Sequence, residues 1–273
     1  MAISENRKVF FLHPQAVIQD ELVRALIEAN YEAYLLRNAA DAKTVLKEYP
    51  NALLFLQIDS GMEEEAWLAY IDDLKSTPST QDLTIAIVSV QPDETIQSTF
   101  LENSDNISHG ISYGSYNYER TYKQIDNILS DEKTRVPKNI ARGTFSETPR
   151  VSLHFARNDN RYEGVLRDIT ISGVTCRLIQ DETFPSNLPI PAIIISYGKK
   201  QLTVSGTIAG SHGESEKIHL ILFNDDCKKT QASEIYDLIQ VGMQREIEDL
   251  IAAKGHKRQV VTKIPRSQLY GRK

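Results

Sequence analysis

Cysteine is scarce in this chain. Cys176 and Cys227 are the only two in 273 residues, and their spacing suits neither a disulfide framework nor a zinc site, so both are expected to be reduced structural thiols. There is no run of about 18 apolar residues, and the first eight residues hold no apolar signal core, so neither membrane insertion nor export is expected and the chain reads as cytoplasmic. The six histidines are scattered without an HxxxH pair, which leaves no metal site to propose. No GxSxG, phosphate-binding loop or paired-carboxylate motif is present, so no catalytic residue is assigned and no enzyme is expected. Net positive charge is also lacking: the formal charge is -6, which disfavours nucleic acid, whose affinity for proteins comes from clustered cations.

What is present is the composition of an ordinary globular protein, 41% hydrophobic and 25% charged, long enough for two domains. From residue 8 to about 130, compact apolar runs alternate with helical patterns. The expected strands are 8–13, 31–36, 52–57, 83–90 and 107–113. Between and after them come helical patterns at 18–29 (Ile18, Leu22, Ala25, Leu26, Ala29), 39–49 (Ala42, Val45, Leu46), 63–75, 95–103 and 118–129 (Tyr122, Ile125, Leu129). Pro50 closes the second helix. Strand and helix alternating five times means a parallel sheet covered on both faces, because parallel neighbours need crossovers.

These five units resemble a response-regulator receiver domain, the flavodoxin-like five-stranded fold. The resemblance implies acids after the first strand for magnesium, a phosphorylatable Asp at the end of the third, a Thr or Ser after the fourth and a Lys after the fifth. The residues here depart from that pattern. The first strand ends in Leu12, His13 and Pro14, the aspartate position falls at Gln57 with Asp59 two residues late, and the fifth strand runs into Tyr113 without a lysine; Ser89 alone matches. Residues 1–130 are therefore read as a pseudo-receiver that docks an unidentified protein partner. The alternative is a working receiver in which a two-residue shift of the loop brings Asp59 into the phosphorylated position.

Residues 131–142 are polar, contain Pro137 and read as a linker carrying a basic pair, Lys138 and Arg142. From residue 151 the periodicity shortens to β-branched runs at 151–155, 162–168, 174–179, 192–197, 202–209 and 218–223, separated by Asn-, Gly- and Ser-containing turns. Six short strands at this spacing suggest a small antiparallel barrel. Leu202, Val204 and Ile208 share one face, as a half-buried strand requires. A last helix is expected over about 233–253, with Ser233 as N-cap and Gly255 as its stop. Its stripe of Ile235, Leu238, Ile239, Met243, Ile247, Leu250 and Ile251 fits either cover for one barrel opening or a homodimer. The tail, 254–273, carries seven Lys and Arg residues and no acid, and reads as solvated.

A basic pair in RxxxR spacing ahead of a six-stranded barrel, followed by [D/N]x[S/T]xxG after the second strand, resembles PilZ domains, the bacterial receptors for cyclic di-GMP. Here the pair is Lys138 and Arg142, and the second motif is Asp168, Thr170 and Gly173. The resemblance covers roughly residues 135–253 and implies a cyclic di-GMP ligand, with no cofactor. It implies Arg142 as a planar fork on guanine O6 and N7 or on a phosphate, and Lys138 as a second cation. Asp168 would accept from guanine N1 and N2, Thr170 would add a hydroxyl, and Gly173 would allow close approach or a positive φ. Lysine at 138 departs from the family's arginine and lacks the fork, so Arg135, three residues upstream, is a second-rank substitute. The expected function is a cyclic di-GMP effector that changes domain orientation or partner binding. The alternatives are a PilZ-like adaptor that binds no nucleotide, and a response regulator phosphorylated on Asp59. As simpler readings, Lys138 and Arg142 are solvated linker charges, and Asp168 and Gly173 build only a hairpin turn.

Overall fold

In a computed structural model of the protein, the described residues are 7–14, 21–102, 104–113, 117–131, 140–145, 151–180, 182–213 and 217–261. The chain forms a five-stranded parallel sheet followed by an antiparallel barrel.

The first half is the five-stranded fold that alternation predicts. Its strands β1 (Val9–Leu12), β2 (Ala33–Leu36), β3 (Leu53–Gln57), β4 (Thr84–Ser89) and β5 (His109–Ser112) lie in the order β2-β1-β3-β4-β5. Every residue of β1 and β3 is buried, as expected of strands covered on both faces. The helices are α1 (Val23–Glu28), α2 (Ala39–Leu46), α3 (Glu64–Ser76), α4 (Asp93–Ile96) and α5 (Tyr118–Ser130). Helix α4 continues as π-helix through Gln97–Leu101. Asn38 and Asn117 cap α2 and α5, each side chain accepting from a backbone amide three residues on, which satisfies a donor the helix cannot pair itself. Of the first helix pattern, Leu22 and Leu26 are buried together with Val23 and Ile27; Ile18 lies outside the described residues.

The second half is a closed six-stranded barrel. It consists of β7 (Val151–Arg157), β8 (Asn160–Thr170), β9 (Gly173–Leu178), β10 (Leu188–Tyr197), β11 (Lys200–His212) and β12 (Ile218–Phe223), closed by the pairing of β8 with β9. The turns fall where Asn and Gly predicted them: Asn158 and Asp159 hold φ of 47° and 63° between β7 and β8, and Gly198 holds 59° between β10 and β11. Positive φ at both central residues matches the twist of paired strands. Two elements were not legible in the periodicity, a two-residue strand β6 (Gly143–Thr144) paired with β8, and a short helix α6 (Asp225–Thr230).

Helix α7 (Ala232–Val261) is longer than expected. Gly255 does not end it: a single glycine costs about 1 kcal/mol inside a helix and a helix of this length absorbs that. Ser233 is not its N-cap either, since it lies within the helix and its hydroxyl accepts from Arg24 Nη2 at 2.7 Å. The stripe Ile235, Leu238, Ile239, Met243 and Ile247 is buried, against β6 and β8 on one side and α1, α2 and β2 on the other. The helix therefore serves both halves. Its Gln244 side chain accepts from the Leu35 amide at 3.2 Å and donates to the Leu35 carbonyl at 3.0 Å, supplying hydrogen bonds that edge strand β2 would otherwise leave open.

Lys8 adds a charged tie. Its Nζ reaches Glu246 and Glu32, both at 3.2 Å, and donates to the Tyr34 hydroxyl at 2.7 Å. Burial alone would lower its pKa, but Tyr34, Glu246 and Glu32 outweigh that and hold it above the ordinary lysine value. The sign is that of a raised base: this contribution is present throughout neutral pH and is lost only above the normal lysine range.

Both cysteines are free and buried, and burial pushes the Cys176 thiol up to about 12. No described helix is long and apolar enough to cross a membrane.

Strand β6 and helix α7 cross at backbone contact. A Cβ on Gly242 would stand 2.6 Å from Gly143 Cα, and one on Gly143 would stand 2.6 Å from the Ile239 carbonyl oxygen. Backbone cannot yield as a side-chain tip does, so Gly242→Val is expected to lower stability by about 1 to 3 kcal/mol. Gly210→Ala is the control. A Cβ there meets nothing within 4 Å, and a change under about 0.5 kcal/mol is expected. Chemical denaturation of the full chain measures both; equal effects would contradict the close crossing.

Candidate functional site

The residues at 140–145 alternate as a strand should. Ala141, Gly143 and Phe145 are buried while Ile140, Arg142 and Thr144 are exposed, so the first three face the barrel and α7 and the guanidinium faces out. Strand β6 pairs with the end of β8, Gly143 opposite Ile169 and Thr144 opposite Asp168, and the Phe145 amide donates to the Arg167 carbonyl at 2.8 Å. Continuing that register sets Arg142 opposite Thr170.

A bulge turns the acid outward. Along β8, Tyr162, Gly164 and Leu166 point inward and are buried, and strict alternation would send Asp168 in after them. The register against β9 shifts between Leu166 and Asp168. One extra residue, Arg167, reverses the phase, as β-bulges do. Ile169 is then fully buried, whereas Asp168 and Thr170 are only partly covered. Arg142, Thr144, Asp168 and Thr170 thus share one outward face at one end of the barrel.

Asp168 is held rigid. Its Oδ2 accepts from the Thr175 hydroxyl at 2.6 Å, across the β8–β9 pairing. Thr175 was not among the residues singled out in the sequence; its only signal is its place two residues beyond the motif glycine, on the same face. Thr170 serves the hairpin as well. Its Oγ1 accepts from the Ser172 amide at 3.2 Å and donates to the Gly173 carbonyl at 3.4 Å, so the turn-building role of this motif is real.

Gly173 has a packing role beyond the two expectations. It does not have a positive φ. A Cβ there would lie 2.2 Å from the Ile221 carbonyl oxygen and 3.0 Å from Leu222 Cα, so the absent side chain admits strand β12. Lys138 and Arg135, the other predicted binding residues, lie outside the described residues.

The receiver-like half has its own polar cluster. Gln57 ends β3, fully within the strand and 2% exposed, where a receiver's aspartate would stand. Asp59 does reach Ser89, as the shifted-loop alternative needs, with Ser89 Oγ donating to Oδ1 at 2.6 Å. Its other oxygen is also engaged. Oδ2 accepts from the Val90 amide at 3.0 Å, from Gln57 Nε2, and from the Tyr113 hydroxyl at 3.5 Å. Burial, with the Asp59 carboxylate beside it, pushes the Tyr113 phenol up, so it stays protonated as a donor. At the end of β1, His13 holds φ 54° and its ring faces Gly61, where a Cβ would stand 3.1 Å away. The cleft beside Asp59, about 640 Å³, includes Gly61, Glu63, Glu64, Gln91 and Phe100 in its lining.

No protein-family model matches the chain, and no curated protein does. Among solved structures its neighbours are PilZ domains and response-regulator receivers, at low identity. The PilZ domain of YcgR from Escherichia coli, described with c-di-GMP, is 10% identical over 45% of this chain and 95% of that one, with a TM-score of 0.31. The PlzA protein of Borreliella burgdorferi, in complex with c-di-GMP, is 13% identical over 44% of this chain and 46% of that one, TM-score 0.25. The Mn(2+)-bound response regulator Rcp1 is 18% identical over 48% of this chain and 99% of that one, TM-score 0.36.

A carboxylate that already accepts from Ser89, Val90, Gln57 and Tyr113 is stabilised by those bonds and is a weaker nucleophile. Incubation with acetyl phosphate and magnesium is expected to leave the intact mass unchanged. A gain of one phosphoryl group, mapped to Asp59, would contradict this.

Proposed function

We propose that the chain is a cyclic di-GMP-binding adaptor in which the outward face of β6, β8 and β9 takes the ligand and the receiver-like half serves as a protein-interaction module. The observation that carries this is the phase reversal at Arg167, which sets Asp168 and Thr170 on the same face as Arg142. A cyclic dinucleotide of guanine offers two phosphodiester charges and two bases whose edges present acceptors at O6 and N7 and donors at N1 and N2. An exposed guanidinium answers the first set bidentately. A carboxylate held from the neighbouring strand by Thr175 answers the second, and that bond spares part of the ordering entropy of binding. Lys138 supplies charge without a fork, with Arg135 as its second-rank substitute.

Signal output follows from what holds β6. The ligand segment at 140–145 rests on α7, and α7 also carries ties to the receiver-like half, to its sheet through Gln244 and Glu246 and to α1 through Asp237. A ligand that orders Arg142 biases the seating of this helix, and so the relation of the two halves or the affinity for a partner.

Isothermal titration of the full chain with cyclic di-GMP tests this. Binding is expected, abolished by Arg142→Ala and strengthened about tenfold to a hundredfold by Lys138→Arg, the equivalent of about 1 to 3 kcal/mol for one charge-assisted bond. No heat at high micromolar ligand with folded protein would overturn it. Heat that appears only in Lys138→Arg would identify an adaptor whose clamp has lost its nucleotide.

A further inference from the structure

The motif residues do not end at β9. In the ladder row that contains Thr144 and Asp168, the next positions are Thr175 on β9 and Leu220 on β12. In the adjacent row, Thr170 is followed by Gly173 and then by Leu222. Partners directly opposite one another across an antiparallel pair share a face, so both leucines stand on the outward surface with Asp168 and Thr170. They are 38% and 44% exposed, while their inward neighbours His219, Ile221 and Phe223 are buried.

The two leucines stand two residues apart on one strand and together present an apolar patch. The side chains around them are small: Thr175 lies between Asp168 and Leu220, and Thr207 pairs with Leu222. Gly173 carries no side chain, so nothing rises between Thr170 and Leu222. Beyond Leu220 the paired residue on β11 is Gly210, above which a Cβ would meet nothing within 4 Å. Adjacent strands lie about 4.8 Å apart, so the two strand spacings from Asp168 across Thr175 to Leu220 cover about 10 Å, the span of one purine resting over the threonine.

We propose that Leu220 and Leu222 form an apolar shelf that takes the face of one guanine while Asp168 reads the edge of the same base. The inference rests on the cyclic di-GMP reading above and extends its site onto β12, a strand that neither motif includes. Ligand sites pair a largely apolar floor with a few placed polar groups; here Asp168, Thr170 and Arg142 supply the polar groups and the leucines the floor. A base's π-face is satisfied by apolar contact without regard to sequence, so the shelf adds affinity and the carboxylate adds choice of base.

The test is titration of the full chain with cyclic di-GMP for wild type, Leu222→Ser, Leu220→Ser and a control, Ile179→Ser. Ile179 is 72% exposed and stands six residues along the chain from Gly173, about 20 Å at the rise of a strand. Each shelf variant is expected to weaken binding about tenfold, with the control unchanged. Thermal melting checks that each is folded, and the milder Leu222→Ala and Leu220→Ala replace any that is not. Wild-type binding that survives both shelf substitutions overturns the shelf and leaves the ligand reading intact. Equal weakening by Ile179→Ser also overturns it. Absence of wild-type binding removes the ligand reading and the shelf with it.

Discussion

Everything proposed for the barrel depends on two glycines. Gly143 and Gly242 let strand β6 and helix α7 cross at backbone contact, and that contact holds a two-residue strand which has little else to fix it. Two backbone pairings to β8 do not outweigh the entropy of ordering a strand so short. Burial of Ala141, Gly143 and Phe145 under α7 does. With the inner side fixed, alternation leaves Arg142 no direction but outward, beside the bulged end of β8. The position of the cation is thus set by a helix about a hundred residues later in the chain.

The same helix meets the other half through a sheet edge. An open edge strand invites pairing with another chain, and β2 is covered instead by the side chains of α7. Gln244 mimics a strand at Leu35, Arg24 joins Asp237 and Ser233, and Lys8 lies between the Tyr34 and Tyr49 rings while facing Glu246. Several of these groups are partly exposed, so their individual contributions are small. Their value is geometric. They fix where the helix lies on the sheet, and the buried stripe from Ile235 to Ile247 supplies the adhesion.

Much of this was legible in the residues. Continuous apolar runs such as 52–57 marked buried parallel strands, and the alternation of Leu202, Val204 and Ile208 marked a half-buried one, because burial on one or both faces writes directly into side-chain type. The basic pair and the acid, hydroxyl and glycine that follow were readable as a motif, though Lys138 and Arg135 fall outside the described residues. What was not legible has one common cause, dependence on distant backbone. The phase reversal at Arg167 is invisible because a bulge leaves composition unchanged. Gly173 suggested a turn or a ligand approach, and only the fold adds the carbonyl of Ile221, which a Cβ there would meet. Gly255 looked like a helix stop, and Ser233 like a cap, because local preference is a weak prior that packing overrides. Asp59 appeared misplaced by two residues, and only the fold shows its carboxylate engaged by Ser89, Val90, Gln57 and Tyr113.

The central claim is that one outward face, built by β6, β8 and β9, takes the ligand. Hydrogen–deuterium exchange of the full chain with and without saturating cyclic di-GMP tests it most directly, because it locates binding without presuming a residue. Slowed exchange is predicted for backbone amides in 140–145 and 168–175, with those of 57–63 and 89–91 unchanged. Protection confined to the Asp59 end of the parallel sheet, or none at 140–145 and 168–175 under saturation, would contradict it.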